Sequence, residues 1–207
     1  MSFKDFLLKE ITNLPGEKAH KEFYPLRFIN TEKPTNTKPS AVGIHFFELE
    51  LSWYFILIER SEYIGHHSKQ IAFPGGKKDP EDSSLLQTAI RESKEEISIA
   101  MENAEFIGAI SPVYIPVSNF EVLPHVFVHN EVPTLIKSEK EVNEILFVKC
   151  SDLLDDRLTT LRDIRISETS NLKQVPCFVL NEKVVWGATA LMLSELKVIL
   201  SRFYNLI

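Results

Sequence analysis

The stretch Phe73–Ile99, FPGGKKDPEDSSLLQTAIRESKEEISI, decides how the rest of the chain is read. It opens on the turn signal Pro74-Gly75-Gly76, passes through a loop carrying Asp79, Glu81 and Asp82, and closes on Arg91-Glu92-Ser93-Lys94-Glu95-Glu96. Apolar or small residues at Leu86, Ala89, Ile90, Ser93 and Ile97 recur at helical spacing, so a helix is expected over 83–97, capped by Asp82 or Ser83. At about 100° per residue, Glu92, Glu95 and Glu96 fall on a different face. The helix therefore has a packed side and an acidic side.

An R-E-x-x-E-E string by itself describes a solvated helix face, with Arg91 pairing Glu95 one turn on. Glu92 and Glu96 are also one turn apart, so both can reach one ion, with Glu95 beside them. Unneutralised, the three repel one another near the C-terminal half of a helix whose dipole also disfavours negative charge. A divalent cation removes both penalties. Oxygen ligands without His or Cys select hard ions, Mg²⁺ first and Mn²⁺ next. Gly75 and Gly76 let a main-chain carbonyl or N–H approach the ion or a phosphate.

Upstream, 41–47 and 53–59 are β-branched and aromatic runs that read as an antiparallel strand pair, with Arg60 directly after the second. A polar loop with Gly65, His66, His67 and Lys69 leads to a short strand at 70–73. The first residues, 2–13, carry Phe3, Phe6, Leu7 and Ile11 at helical spacing, and 17–40 has the composition of a loop or linker. Downstream, 104–113, 114–117 and 121–129, broken by Pro112, Pro116 and Pro124, read as strands and loops of the same sheet, 145–148 as a strand, 151–156 as a helical turn, and 178–185 as a hairpin turning at Asn181-Glu182-Lys183. A long C-terminal helix is expected over 188–204. Strands before, between and after two principal helices give an α+β or α/β/α layered domain with a mixed sheet.

At 207 residues, 44% hydrophobic and 25% charged, the chain suits one globular domain with decorations. A net charge of −6 with dispersed Lys and Arg disfavours nucleic acid as a partner. Cys150 and Cys177 have neither the spacing of a zinc site nor that of a disulfide framework, which fits a reducing, cytoplasmic compartment. The N-terminus lacks the continuous apolar core of a signal peptide, and no run approaches the ~20 apolar residues that span a bilayer. Monomer and homodimer both stay open.

FPGG, the acidic loop, Ala89-Ile90-Arg91-Glu92 and Glu95-Glu96 followed by Ile97 together resemble the Nudix box of the Nudix hydrolases. More narrowly, the loop spacing, with Leu57, Arg60, Ser61 and Phe73-Pro74-Gly75-Gly76, resembles the coenzyme A pyrophosphatase branch. So do Tyr114–Phe120, Glu141-Val142 and Val185–Ala190. Gly65 and Lys69 depart from the branch, which has arginine and glycine there, and Ser98 stands where the box has glycine. The resemblance implies a Nudix α/β/α sandwich around a mixed sheet over 41–207, preceded by an N-terminal helix and polar lead-in over 1–40.

It further implies Mg²⁺- or Mn²⁺-dependent hydrolysis of a small nucleotide substrate, most narrowly coenzyme A or acyl-coenzyme A. Glu92 and Glu96 would hold the ion, and Glu95 would complete that site or take the proton. Glu141 is a further ligand or base. Arg91 orients Glu95 or the loop, and Arg60 binds a substrate phosphate or fixes the loop by an ion pair. Gly75, Gly76 and Lys69 complete the substrate contacts, with His66 or His67 as alternative cations. Gly65 and Lys69 motivate a second reading, hydrolysis of ADP-ribose or a dinucleotide. Ser98 and the altered loop motivate a third, a module that senses a nucleotide without hydrolysing it.

Overall fold

A computed structural model of the protein describes residues 1–23, 34–61, 70–166 and 171–206. Gly65, His66, His67 and Lys69 lie outside the described residues. Strand β1 (Lys38–Leu49) is the axis of an eight-stranded mixed sheet. It pairs antiparallel with β2 (Ser52–Arg60) through a tight turn at Glu50 and Leu51. On its other edge it runs parallel to β7 (Phe120–His129), with Lys38 opposite Phe120. β3 (Ile71–Ala72) and β8 (Val142–Lys149) extend the sheet from β2, and β5 (Ala104–Ala109) and β6 (Val113–Ile115) pair with β7.

Alternation along β1 assigns the two faces. Val42, Ile44 and Phe46 join the larger core with α1 (Phe3–Glu10) and α5 (Gly187–Tyr204). Ala41 and Phe47 point to the opposite face, packing respectively with Ala89 and Ile97 of α3 (Leu85–Ile97). Helices on both faces of a mixed sheet make the expected α+β sandwich, with helices at both ends of the chain. Among the described residues, no helix is long and apolar enough to cross a membrane.

Three local readings change. Of 17–40, expected to be loop or linker, residues 24–33 lie outside the described residues, 38–40 open β1, and 17–23 form α2 (Glu17–His20) and a 3-10 turn whose Phe23 stacks on Phe178 at 4.4 Å. Its anchor is distant: the buried Glu195 carboxylate on α5 accepts from the Gly16 N–H (2.8 Å) and from Ser111 Oγ (2.8 Å), and faces His20. The cap of α3 is Ser84, whose Oγ accepts from the Gln87 N–H, rather than Asp82 or Ser83. A second sheet was not expected at its full extent. After α4 (Cys150–Leu154), β9 (Thr159–Arg165), β10 (Asn171–Leu180) and β11 (Lys183–Val185) pair antiparallel, the last two through left-handed Asn181 and Glu182.

Helix α3 ends on Ser98, which holds the left-handed conformation (φ 50°) and donates its N–H to the Lys94 carbonyl. A side chain there is strained by roughly 1 kcal/mol or more, and glycine is not. Ser98→Gly is therefore expected to raise stability by about 1 kcal/mol in denaturant titration. An unchanged or lowered midpoint would count against that strain.

Candidate active site

The Pro74-Gly75-Gly76 signal does more than turn the chain: Gly75–Lys77 forms β4, a short strand paired antiparallel with β1, Ala41 opposite Gly76 and Val42 opposite Gly75. Gly75 sits at φ +157°, and a Cβ on it would run into the Ala41 carbonyl oxygen and stand 2.6 Å from Val42 Cα. Only glycine lets the two backbones pair this closely. The Gly43 N–H donates to the Pro74 carbonyl (2.8 Å), and Ser40 Oγ donates to the Gly76 carbonyl (2.5 Å). The strand is thus fixed to β1 over four residues.

Across from it lies α3, and its glutamates do not share one solvated face. Glu96 is 1% exposed, Glu92 is half-buried, and the Glu95 side chain is 54% exposed. The helical period explains the division: Glu96 follows the buried Ala89 by seven residues, about 20° short of two full turns, whereas Glu95 lies about 100° further round. Burying Glu96 without partners would be costly. It accepts from the Gly75 N–H (2.9 Å) and pairs with Arg60 Nη1 (2.9 Å).

Burial nevertheless dominates its ionisation, pushing the Glu96 pKa up to about 7 against the opposing pull of Arg60 and the Gly75 N–H. Glu92 is also raised, first by burial, then by the charges of Glu95 and Glu141, with Arg91 opposing. Glu141 itself is exposed, in a turn tied to α3 where the Ser138 N–H donates to the Glu96 carbonyl (2.8 Å). Its charge raises both Glu92 and Glu96, so this distant segment does come to the same acidic centre.

Arg91 binds the loop and the glutamates together. Its Nε and Nη2 donate to the two oxygens of Asp82 (3.0 and 2.9 Å), while Nη1 donates to Glu92 Oε1 (2.8 Å) and Glu95 Oε2 (3.0 Å). Asp82, buried, also accepts from Thr88 Oγ1 (2.8 Å) and the Asp79 N–H (2.9 Å). The Arg91 guanidinium beside it holds its carboxyl well below the usual carboxylate range. In sequence Asp82 was one acid among three in a loop. Its nine-residue separation from Arg91 gives no periodic signal, so its role as the loop's fastener was not legible.

Beside Gly75, Gly76 and Arg60 opens a cavity of about 370 Å³. Tyr114, Pro116, Phe120, Trp186, Leu191 and Met192 are among its largely apolar walls. These come from β6 and the loop after it, from β7, and from the entry to α5. Leu191 and Met192 lie outside the segments that carry the resemblance. Arg60 has two positions at once, lining this cavity and paired to Glu96.

The donor set fits a hard cation. Glu92, Glu95, Glu96 and the adjacent Gly76 carbonyl offer only oxygen as ligands, and Glu92 and Glu96 are raised first by burial and only then by the neighbouring carboxylates. A Cβ on Gly76 would stand 2.5 Å from the Glu92 carboxyl, so that carboxylate lies directly against the strand's backbone. Among the described residues, no three His, Cys, Asp or Glu side chains converge as a ready-made cage. Arg60 and Arg91 supply the positive charge instead.

The NUDIX domain family matches residues 37–167. The uncharacterized Nudix hydrolase NudL of Yersinia enterocolitica is 32% identical over 141 residues, 68% of this chain and 71% of that protein. NudL of Salmonella dublin is 31% identical over 174 residues, 84% and 88% of the two chains. Among solved structures, the Nudix hydrolase RenU from M. smegmatis superposes with a TM-score of 0.56 at 13% identity, covering 80% of this chain and 87% of that one. That last likeness speaks for the fold. With the matched region running from the start of β1 past β9 and enclosing the whole acidic helix, the chain belongs to the Nudix hydrolase family, whose members act on pyrophosphate bonds.

Proposed function

We propose that the protein hydrolyses the diphosphate of coenzyme A or an acyl-coenzyme A to 3′,5′-ADP and 4′-phosphopantetheine or its acyl form, with Mg²⁺ or Mn²⁺ as cofactor. One observation carries the substrate class. Two of the three downstream segments that resemble the coenzyme A branch, Tyr114–Phe120 and Val185–Ala190, are far apart in sequence yet both line the apolar cavity beside Gly75-Gly76, whereas Glu141-Val142 does not. A pantetheine or acyl arm suits such a wall. The polyhydroxylated ribose of ADP-ribose, or a second charged nucleotide, would lose its water there without partners.

Nudix hydrolases generally use divalent ions, and Glu92 and Glu96 are the residues that would hold one here, with Glu95 beside them. When bound, the ion supplies charge neutralisation of the diphosphate and an acidified water. The chain's own groups do the rest. The Gly75–Lys77 backbone positions the diphosphate at the cavity mouth, and Arg60 contributes a planar donor there. Arg91 holds the Glu92 and Glu95 carboxylates in place. Water adds to one phosphorus as the bridging P–O bond breaks, and its proton passes to a carboxylate at the outer side of the site, where Glu95 and Glu141 stand.

A panel of coenzyme A, an acyl-coenzyme A, ADP-ribose and NADH with the purified protein and Mg²⁺ tests this. The expected result is 3′,5′-ADP release with kcat/KM for the coenzyme A compounds at least about tenfold above the others. Turnover of ADP-ribose or NADH with coenzyme A inert would overturn the substrate assignment. Ligand binding without any product would favour the sensing module.

A further inference from the structure

On the α3 face of β1, the alternation Ala41, Gly43, His45, Phe47 places an imidazole where the pattern calls for an apolar side chain. His45 is 0% exposed. Its Nε2 meets Ser93 Oγ of α3 at 2.9 Å, and its Nδ1 meets His129 Nε2 of β7 at 3.0 Å. The ring also stacks on Phe127, centroids 5.0 Å apart. We propose that this buried chain, Ser93–His45–His129, sets the register of α3 on the sheet and so positions Glu92 and Glu96 against the Gly75–Lys77 strand, which makes His45 and Ser93 positioning residues for the reaction.

Several observations converge on that role. Ser93 lies one residue after Glu92 and three before Glu96, on the buried face of α3. Of the other buried residues of α3, Ala89 and Ile97 make apolar contacts, which have no preferred direction and tolerate sliding, while Thr88 and Glu96 bond to Asp82, the Gly75 N–H and Arg60 rather than to β1. A hydrogen bond does not. The same strand carries the opposing wall: Gly43, two residues before His45, donates its N–H to the Pro74 carbonyl. A Cβ on Gly43 would stand 2.5 Å from His45 Nε2 and 2.7 Å from Ser93 Oγ, so the missing side chain is what admits the link. β1 is thereby the common reference for turn and helix.

Burial holds His45 and His129 as neutral imidazoles. Each then has one donor and one acceptor nitrogen, and the chain is satisfied with protons running in either direction. Removing one member leaves the others short of a partner in the core. The clearance between Glu92 and Gly76 is smaller than a methyl group, so a small slip of α3 reaches the site directly. Displacements near 1 Å can lower rates about a hundredfold.

The inference rests on reading Glu92 and Glu96 as holders of the ion, and its test uses two readouts. His45→Phe keeps the ring and its stacking while removing both hydrogen bonds; Ser93→Ala removes only the hydroxyl; His45→Gln retains a donor and an acceptor. Mn²⁺ binding to the substrate-free protein and steady-state kinetics are measured for each, with circular dichroism to verify folding. His45→Phe and Ser93→Ala are expected to weaken Mn²⁺ binding and lower kcat by about 10- to 100-fold, with KM little changed, and His45→Gln to recover most of both. Folded Ser93→Ala with native Mn²⁺ affinity and native kcat overturns the inference, even should His45→Phe fail to fold. A wild-type protein that binds Mn²⁺ but hydrolyses none of the panel defeats the proposed function instead, while Mn²⁺ affinity still decides the role of His45.

Discussion

Glu96→Gln is expected to abolish turnover while making the metal-free protein more stable at pH 8. The loss of activity follows from removing one of the two carboxylates assigned to the ion. Transition-state charge stabilisation by a bound ion amounts to several kcal/mol, so a drop of about 10³-fold or more is expected, and the same from Glu92→Gln. The gain in stability follows from burial. With its pKa raised to about 7 in the folded state against 4.5 when unfolded, Glu96 binds a proton more tightly in the native protein. Its contribution is fully present below pH 4.5 and is lost as pH rises through 7, a decline of roughly 3 kcal/mol.

Glutamine resembles the protonated form at every pH and removes that decline. Denaturant unfolding in EDTA should therefore give matching stabilities for wild type and Glu96→Gln near pH 4.5 and a higher one for the variant at pH 8. Near-normal activity in both glutamine variants would refute the assignment of the ion. A wild-type stability that does not fall between pH 5 and 8 would refute the buried carboxylate's energetic role.

Alanine at the two adjacent glycines should separate folding from chemistry. At Gly75 the new Cβ meets the Ala41 carbonyl and Val42 Cα, backbone atoms that cannot yield, in a left-handed-side conformation that L side chains rarely adopt. Gly75→Ala is expected to destabilise by about 3 kcal/mol or more and to yield little folded protein. At Gly76 the new methyl meets the end of the Glu92 side chain, 2.5 Å from its carboxyl carbon. That side chain can rotate away. Gly76→Ala should fold with a midpoint near wild type yet lose about 100-fold in kcat, because the displaced carboxylate is one the reaction uses. Equal stabilities for the two variants, or a fully active Gly76→Ala, would contradict the close packing of strand and helix.

The parts of this site that were legible in sequence are those written within one element. The 3.6-residue period of Leu86, Ala89, Ile90, Ser93 and Ile97 identifies α3, and the alternating runs of β1 and β2 identify the sheet. What was not legible depends on partners from elsewhere in the chain. Glu96 reads as solvated until Arg60 from β2 and the Gly75 N–H from β4 are brought to it. β9 was missed because Thr-Thr-Leu-Arg-Asp-Ile-Arg has an exposed strand's composition and no clean alternation. His45 in an apolar strand gave no sign of its two partners, 48 and 84 residues away.

The parallel pairing of β1 with β7 has a kinetic consequence. It joins segments about 80 residues apart, so the chain must close a large loop before either strand is rewarded, a slow step by comparison with local helix formation. Helix α3 and the β1–β2 hairpin lie within reach of early, local events. The wall that faces the glutamates is held by β1, whose other edge stays open until β7 arrives. Recovery of catalysis during refolding should therefore lag the recovery of helical signal and track the long-range closure of the sheet.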